Sequence, residues 1–394
     1  MDIIIKAFKF KLTPTKEQEN LLSKHFGACR FVFNYYLNCR KESYLNDKKT
    51  LNYYDNANSL TKLKKDENFV WLKEINSQSL QSSLRNLDVA YNKFFKKESK
   101  FPRFKSKYDK QSFTIPQFIK INDDRLFIPK FKDGIRLIKH REISGEILFA
   151  TISKSISGIY YVSITCEVKY KAFDKSGSVV GIDTGIKDLA ILSNGYVYEN
   201  IKSLKSNLKK IKYEQRQLTK KQKNSKSRLK QKLKFAKIHE KITNIRKDYL
   251  HKVSSEIIKT QDVICVEDLA VKNMMKNHKL AQAFSDVSLG SFYSMLEYKA
   301  KWNDKSYIKI DRFFPSSKTC SHCGWINQDL NLSVREWFCP SCGTNHNRDL
   351  NASKNILKQG LKILSCGSGV ESQDKQKHGE ALSLDKSVTH EANN

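Results

Sequence analysis

The chain has 394 residues and carries 72 lysines and arginines against 41 aspartates and glutamates, a formal net charge of +31 at pH 7. At about 100–200 residues per domain, this length favours two to four domains over one small fold. The 22 phenylalanines and 17 tyrosines can build cores, which excludes a mostly disordered chain. No apolar run approaches the ~18 residues of a membrane span or the ~7–15 of a secretory signal, so we expect a cytoplasmic protein without membrane contact.

This excess of positive charge indicates an anionic partner, because a compact body with such a charge repels itself. Nucleic acid is the favoured partner, since the charge is clustered along the chain and the isoelectric point is about 9.6. The alternatives are solubility alone or attraction to a membrane surface.

The first hundred residues predict one strand followed by helices. Residues 2–12 alternate loosely between apolar and polar side chains, which is typical of a strand. Thr13 is expected to cap the next helix, with Pro14 at its first position. Residues 77–96 predict an amphipathic helix whose polar side carries Ser77, Gln78, Gln81 and Arg85.

The middle of the chain changes from a β-rich pattern to an α/β pattern. Residues 110–178 contain several short β-rich runs, which favour a small β-barrel or β-sandwich. Residues 179–183 then form a buried strand, and 189–192 a second strand. Asn194-Gly195 is a typical hairpin turn that leads into a third strand at 196–198.

Residues 202–247 concentrate the positive charge. They contain 18 lysines and arginines but only two acids, a net charge of +16, about half of the whole excess. Apolar residues at steps of three, four or seven predict a pair of amphipathic helices with one apolar seam and basic outer faces; they are Leu204, Leu208, Ile211 and Leu218, then Leu229, Leu233 and Ala236. A merely solvated helix normally mixes both signs of charge, and this segment does not. The nucleic-acid contacts expected here are Lys209, Lys212, Arg216 and Lys220.

Two Cys-x-x-Cys pairs predict a metal site near the carboxyl end. Cys320 and Cys323 are separated by 15 residues from Cys339 and Cys342, within the range of about 15–20 that is typical of zinc sites. Four thiolates close a tetrahedron and leave no position for water, so we expect one structural Zn²⁺. The alternative is a redox dithiol, which usually occurs as a single pair. Neither His322 nor His346 is expected to be a ligand.

Three acids stand out by their position in the predicted elements. Asp183 lies inside a strand, Glu267 ends the buried strand 262–267, and Asp349 begins a helix predicted over 347–364. For any one of them alone, a helix cap or a partnered charge would be the simpler explanation. Three buried carboxylates together are costly unless cations neutralise them.

Carboxylate oxygens are ligands that suit Mg²⁺ or Mn²⁺. Two such ions ~3.5–4 Å apart can hold a phosphodiester, one activating the attacking water and the other stabilising the departing 3′ oxygen. Gly181 and Gly185 are expected to allow close backbone approach beside Asp183. Asp188 and Asp268 are the nearest other acids, and the side chain of Asp268 is expected to point away from the site.

These motifs, in this order, resemble the TnpB family. The triad lies in Gly-Ile-Asp-Thr-Gly, Val-Glu-Asp-Leu and Arg-Asp-Leu-Asn-Ala, with the cysteine ribbon before the third acid. Further matching segments are 12–15, 30–34, Phe-Pro-Arg-Phe-Lys at 101–105, 296–299 and Ser-Ser-Lys-Thr-Cys-Ser-His-Cys-Gly at 316–324. The family consists of transposon-encoded RNA-guided DNA endonucleases, long known as transposases and related to compact type V CRISPR effectors. The resemblance covers about residues 1–364.

The resemblance implies a multidomain α/β protein. Residues 179–364 would form an RNase H-like RuvC nuclease domain that includes the basic helices 202–260 and the zinc ribbon 312–346. Residues 1–12 and 110–178 would form a wedge-like β-barrel, and 13–109 a helical recognition domain. A tail at 365–394 is expected to be disordered.

The resemblance also implies site residues. Asp183, Glu267 and Asp349 match the three catalytic acids of the family, and the four cysteines of the two pairs match its ribbon. Arg348 is expected to contact nucleic acid. Asn347 is a departure, because relatives often carry aspartate there.

The implied partners are a guide RNA from the transposon end and double-stranded target DNA, bound by a monomer or a homodimer at the nucleoid of a prokaryote. Pairing with the guide would supply sequence specificity. The polar side of 77–96 would read a short motif flanking the target, since glutamine matches adenine edges in the major groove.

Two alternatives remain for the activity. An RNase H-fold transposase could use the same acids for strand transfer, with a 3′-hydroxyl in place of water. A nuclease-inactive, RNA-guided DNA-binding repressor is the other, although the presence of all three acids argues against it.

Overall fold

The computed structural model describes residues 2–277, 280–331 and 333–367. The predicted disordered tail therefore lies outside the described residues from 368 onward. The chain divides into two compact units: the first runs up to Lys171 and includes Lys210–Glu240, and the second comprises Ala172–Lys209 and the chain from Lys241 onward. None of the helices described is long and apolar enough to cross a membrane.

The first unit combines a helical segment with a β-rich segment. In chain order its elements are β1 (Asp2–Thr13), α1 (Lys16–Asp47), α2 (Tyr53–Leu63), a 3-10 helix (Glu67–Glu74), α3 (Ser77–Phe95), β2 (Gln111–Ile115), β3 (Lys120–Asn122), β4 (Arg125–Ile128), β5 (Phe131–Ile138), β6 (Glu146–Lys154) and β7 (Tyr160–Tyr170).

Helix α1 begins two residues later than the sequence predicts. Thr15, and not Thr13, is its N-cap: the Thr15 hydroxyl accepts a hydrogen bond from the Gln18 backbone, and the Gln18 side chain accepts one from the Thr15 backbone. The expectation of a Thr13 cap was wrong because only Thr15 has a glutamine three residues later to close this capping box.

The strands of the first unit form one antiparallel sheet in the order β2-β6-β7-β1-β5-β4-β3. Strand β1 lies at its centre and pairs with β7 from Asp2 to Leu12. The N-terminal strand therefore joins the strands of 110–178, as predicted. The sheet is an open half-barrel whose edges are β2 and β3, and α1 and α3 pack against β2. The sequence favoured a small β-barrel or β-sandwich for these strands.

The second unit begins with a hairpin and continues through two long helices. Its elements are β8 (Val179–Asp183), β9 (Asp188–Leu192), β10 (Val197–Glu199), α4 (Ser203–Thr219), α5 (Lys226–Thr260), β11 (Val263–Glu267), α6 (Val271–Met274), α7 (Ala281–Val287), α8 (Leu289–Trp302), β12 (Ser306–Ile310), β13 (Glu336–Phe338), β14 (Asn345–Asn347) and α9 (Arg348–Ser365), with parts of α4 and α5 belonging to the first unit.

Five strands of the second unit form a mixed sheet in the order β10-β9-β8-β11-β12. Strand β11 is parallel to both β8 and β12, whereas β9 is antiparallel to its neighbours. Val180, Ile182, Ile264 and Val266 are fully buried and belong to one apolar core. The predicted strands at 179–183 and 262–267 and the hairpin at Asn194-Gly195 are thus confirmed.

Helix α9 packs directly onto this sheet, and two glycines make the contact possible. A Cβ atom at Gly181 of β8 would lie 2.1 Å from the Ser353 carbonyl oxygen, and one at Gly360 of α9 would lie 2.3 Å from the Cys265 sulfur. At Gly185 the nearest atom would be 3.4 Å away, an ordinary contact. The expected close approach therefore occurs at Gly181 and not at Gly185.

Replacing Gly181 should separate α9 from the sheet. We expect Gly181→Ala to lower the free energy of unfolding by about 3 kcal/mol, because the clash is with helix backbone that cannot rotate away. Urea denaturation would measure the loss. Gly185→Ala is the matched control and should change the stability by less than about 1 kcal/mol. Equal effects of the two substitutions would contradict this account of the packing.

Candidate active site

Two of the predicted acids lie side by side at one edge of the five-stranded sheet. Asp183 is the last residue of β8 and Glu267 the last of β11. The two strands are parallel, with Ile182 opposite Val266. Asp183 follows Ile182 and Glu267 follows Val266, so the two acids lie next to each other at the ends of their strands. Asp349 lies in the first turn of α9, which packs against both strands.

The electrostatics of Asp183 show that the three carboxylates influence one another. Burial raises the pKa of Asp183 to about 8, and the negative charges of Glu267 and Asp349 add to this, while Arg348 opposes it. Burial also raises the pKa of Glu267, against a hydrogen bond from Ser316. Each further negative charge at this edge is therefore costly unless a cation compensates it.

Two arginines hold the third acid. Nη1 of Arg335 lies 3.0 Å from one oxygen of Asp349 and 3.2 Å from the other, and Nε of Arg348 lies 3.3 Å from the same carboxylate. Arg348, expected to contact nucleic acid, thus has Asp349 as a partner in the free protein. Arg335 was missed, since nothing around it in the sequence marks it.

The carboxylates fit divalent cations by their chemistry, although they do not meet at one point. In the part of the chain that the structure describes, the four cysteines are the only group that brings three or more metal-ligand atoms within 4.8 Å of one another. Asp349 is engaged in an ion pair with Arg335 at 3.0 Å. Hard oxygen donors on three separate elements remain a set suited to Mg²⁺ or Mn²⁺.

The raised pKa of Asp183 predicts a pH dependence of stability. An acid whose pKa is higher in the folded state stabilises the fold most at low pH, and this contribution is lost as pH rises towards the folded pKa of about 8. In EDTA we expect the melting temperature to fall between about pH 5 and pH 8, and Asp183→Asn to remove part of that fall. The same slope in both proteins would show that Asp183 is not the group responsible.

The neighbouring polar residues have other roles. The carboxylate of Asp268 accepts a hydrogen bond from Arg312, and the Asp188 carboxylate lies 3.9 Å from the Lys187 ammonium. Asn347 is the N-cap of α9 and accepts a hydrogen bond from the Leu350 backbone at 3.2 Å. Asparagine and aspartate cap helices about equally well, so this departure from the family pattern keeps the start of α9 in place.

The four cysteines have the geometry of a closed metal site. The sulfurs of Cys320 and Cys342 lie 3.6 Å apart, as do those of Cys323 and Cys339. A Zn²⁺ ion with four sulfurs at about 2.3 Å requires sulfur pairs only slightly farther apart, about 3.8 Å. The predicted ligands therefore come together, and the group fits one structural zinc ion.

Neither nearby histidine belongs to this described ligand group. Nε2 of His346 lies 3.0 Å from the Cys320 sulfur, which is hydrogen-bonding distance and shorter than two ligands of one tetrahedral ion would adopt. His346 is buried against Trp337, within the small core of the ribbon.

Two asparagines on α9 fasten the ribbon, and sequence reasoning missed them. The side-chain amide of Asn351 donates to the Thr319 carbonyl at 2.7 Å and accepts from the Ser321 backbone at 2.8 Å. Asn355 donates to the carbonyls of Ser316 and Thr319. The same helix that carries Asp349 therefore positions the first cysteine pair. The partners of both asparagines are thirty or more residues away in sequence, so no local pattern indicates these contacts.

The other predicted contacts lie on exposed helix surfaces. Helix α3 buries its apolar side, leaves Ser77, Gln81 and Arg85 exposed, and half-buries Gln78, which donates to Gln117 at 2.6 Å. Helix α4 exposes Lys209, Lys212 and Arg216, and Lys220 follows its last residue, also exposed. Both predicted amphipathic helices are confirmed as helices, while their nucleic-acid contacts stay predictions.

Three family models match parts of the chain. One described as "Probable transposase" matches residues 163–278, one described as "Cas12f1-like, TNB domain" matches 290–356, and one described as "Helix-turn-helix domain" matches 1–49. Residues 1–49 contain β1 and the single long helix α1.

Whole-length relatives decide the family. A protein of Streptomyces pristinaespiralis named "Putative RNA-guided DNA endonuclease" is 36% identical over 383 residues, 95% of this chain and 94% of that protein. The "Putative RNA-guided DNA endonuclease InsQ" of Escherichia coli (strain K12) is 36% identical over 386 residues, 93% of this chain and 95% of its own. The chain belongs to the TnpB family. The fold of this TnpB-family chain is also similar to that of a protein chain in a solved structure.

That chain comes from the "Cryo-EM structure of the Cas12f1-sgRNA-target DNA complex", with a TM-score of 0.55 and 14% identity, over 90% of this TnpB chain and 98% of the other. At this identity the likeness concerns the fold alone.

Proposed function

We propose that this TnpB-family protein is an RNA-guided DNA endonuclease that hydrolyses phosphodiester bonds in target DNA. The observation that carries the proposal is that β8, β11 and α9 bring Asp183, Glu267 and Asp349 to one edge of the sheet, where burial and the neighbouring negative charges raise the pKa of Asp183. Relatives that match nearly the whole chain have the corresponding name.

We assign the nuclease domain to 179–364. An antiparallel hairpin followed by two parallel strands, in the order β10-β9-β8-β11-β12, supports an RNase H-like, RuvC-type architecture. The ribbon 312–346 and the basic helices 202–260 are insertions in it. We further propose that 1–12 with 110–178 act as the wedge and 13–109 as the recognition part.

Asp183, Glu267 and Asp349 would hold two Mg²⁺ or Mn²⁺ ions. When bound, these ions would activate the attacking water and stabilise the departing 3′ oxygen. The protein fixes the positions of the acids: β8 and β11 set two of them, α9 sets the third, and Ser316 orients the Glu267 carboxylate by a hydrogen bond. Arg335 and Arg348 offset the charge of Asp349 before cations arrive.

The basic surfaces would bind the nucleic acids. Four basic side chains are exposed on or just beyond α4: Lys209, Lys212, Arg216 and Lys220. Lysines and arginines that neutralise phosphates release bound counterions, and this release favours binding of the nucleic acid. Guide pairing with one DNA strand would supply sequence specificity, while the polar side of α3 would read the motif beside the target. The cysteine group would hold one structural Zn²⁺.

One experiment tests this function. The protein is purified from cells that contain its transposon end, and the bound RNA is sequenced. We expect one discrete RNA species and Mg²⁺-dependent cleavage of plasmid DNA that matches it, with a mismatched plasmid as the control. Random RNA fragments and no guided cleavage would refute the proposal. Joined DNA ends would indicate strand transfer instead, and guided binding without cleavage would indicate a repressor.

A further inference from the structure

A pocket of about 550 Å³ opens beside the predicted catalytic carboxylates, wholly within the second unit. Glu267 forms one wall, so this residue belongs both to the acid triad and to the pocket. The other walls come from the loop after β11, from α6, from α8 and from β12, and include Asn273, Tyr293 and Tyr307. The volume falls in the range of about 300–1,000 Å³ that is typical of sites for small organic groups.

Tyr307 lines the pocket and carries a buried hydroxyl that no described residue satisfies. The Tyr307 hydroxyl has no hydrogen-bond partner among the described residues, although it is shielded from solvent. Burial and the nearby Tyr293, Glu297 and Asp268 raise the pKa of Tyr307, so the hydroxyl stays protonated and can both donate and accept. Buried polar groups are nearly always paired, which makes this atom a candidate ligand contact. Tyr293, in contrast, shares a hydrogen bond with Thr184 at 2.5 Å.

Two cations lie at the same pocket. Lys309 lies 3.3 Å from Glu297, and Arg312 contacts the side chain and the backbone carbonyl of Asp268. All four side chains of these pairs are roughly half exposed, so an incoming phosphate can compete for the lysine and the arginine. Exposed ion pairs of this kind contribute little to stability, so opening them costs the fold little.

We propose that this pocket binds one unstacked nucleobase of the single-stranded DNA that passes Glu267, next to the bond to be cut. Aromatic side chains bind bases of any sequence by stacking, and the Tyr307 hydroxyl and the Asn273 amide offer hydrogen bonds to base edges. Lys309 and Arg312 contact the phosphates on either side of that base. The inference rests on the proposed function, because it identifies the strand in the pocket as the nuclease substrate.

The test uses the full-length protein with its copurified guide RNA, with Ca²⁺ in place of Mg²⁺ to prevent cleavage. The probe is a short single-stranded DNA that contains 2-aminopurine, whose fluorescence falls when it stacks on an aromatic ring. We expect quenching by the wild type and about fivefold weaker binding by Tyr307→Phe, the fold-change of one lost hydrogen bond. Tyr196→Phe, on an exposed turn outside the pocket, is the control and should bind as the wild type does.

Further measurements distinguish a loss of probe binding from a loss of folding. Tyr307→Phe should melt at the same or a higher temperature than the wild type, because it removes an unsatisfied buried hydroxyl. Asn273 is exposed, and Asn273→Ala should also lower the affinity for the probe. An abasic probe should bind wild type and variants alike. No quenching by the wild type, or equal affinity of wild type, Tyr307→Phe and Asn273→Ala, would overturn the inference.

Guided cleavage of target DNA, measured on the same preparations with Mg²⁺, distinguishes the two failures. Quenching that depends on Tyr307 without any cleavage would refute the nuclease and leave a base-binding pocket. Cleavage with quenching that is independent of Tyr307 would leave the nuclease and refute the pocket.

Discussion

The Asp183→Asn variant should lose guided cleavage of target DNA by about a thousandfold or more, while it binds guide RNA with unchanged affinity. A loss of this size corresponds to about 4 kcal/mol of transition-state stabilisation. It is expected because Asp183 is the acid that β8 places beside Glu267, where it would share the divalent cations. Asparagine has the same shape but only half of the oxygen donors and no charge.

The same substitution should make the metal-free protein more stable at pH 7. Burial and the neighbouring acids raise the pKa of Asp183 to about 8, so removing this ionisable group removes a cost. Lost activity together with a higher melting temperature in EDTA is the signature of a metal ligand. Asp188→Asn, a change of the same chemistry five residues later, is the control and should keep its cleavage activity.

A purely structural role of Asp183 predicts the opposite combination. In that case Asp183→Asn would lower the melting temperature and weaken guide RNA binding along with cleavage. Retained cleavage in Asp183→Asn would remove this residue from the proposed mechanism altogether.

The Cys339→Ser variant should lose the bound zinc and, with it, the ordered ribbon. Structural zinc sites contribute about 10–16 kcal/mol to the folding of small zinc domains, far more than the cysteine pairs could contribute alone. Elemental analysis should find about one zinc per wild-type chain and much less in the variant. Limited proteolysis should then cut within 316–347.

The loss of zinc should also disturb the positions of the carboxylates of Glu267 and Asp349. Arg335, within the ribbon, contacts Asp349, and Ser316, at its start, donates to Glu267. We therefore expect Cys339→Ser to cleave target DNA at a small fraction of the wild-type rate. Cys366→Ser, an exposed cysteine outside the ligand group, is the matched control. Unchanged zinc content in Cys339→Ser would contradict the ligand assignment.

Local patterns in the sequence predicted much of the second unit. Short apolar runs that end in an acid predicted β8 and β11, and the spacing of the cysteine pairs predicted a ligand group that the structure assembles. These features are set by residues close in sequence: continuous apolar runs for the two buried strands and closely spaced cysteine pairs for the metal ligands. The pairing of β8 with β11, which places Asp183 and Glu267 at neighbouring strand ends, joins segments far apart in sequence and does not follow from these local patterns.

Features that depend on distant parts of the chain could not be predicted in this way. Gly181 and Gly185 look alike in sequence, but only Gly181 meets α9, which is about 170 residues away. The contacts of Arg335 and Asn355 have no local signature for the same reason. The Thr15 cap is different, because the glutamine at 18 could have identified it.

The most direct test of the central claim is anomalous diffraction from crystals of the protein with guide RNA and target DNA, soaked in Mn²⁺. The account predicts two manganese peaks ~3.5–4 Å apart, each touching carboxylate oxygens from the set Asp183, Glu267 and Asp349. Fully occupied manganese sites that avoid these three side chains would contradict it.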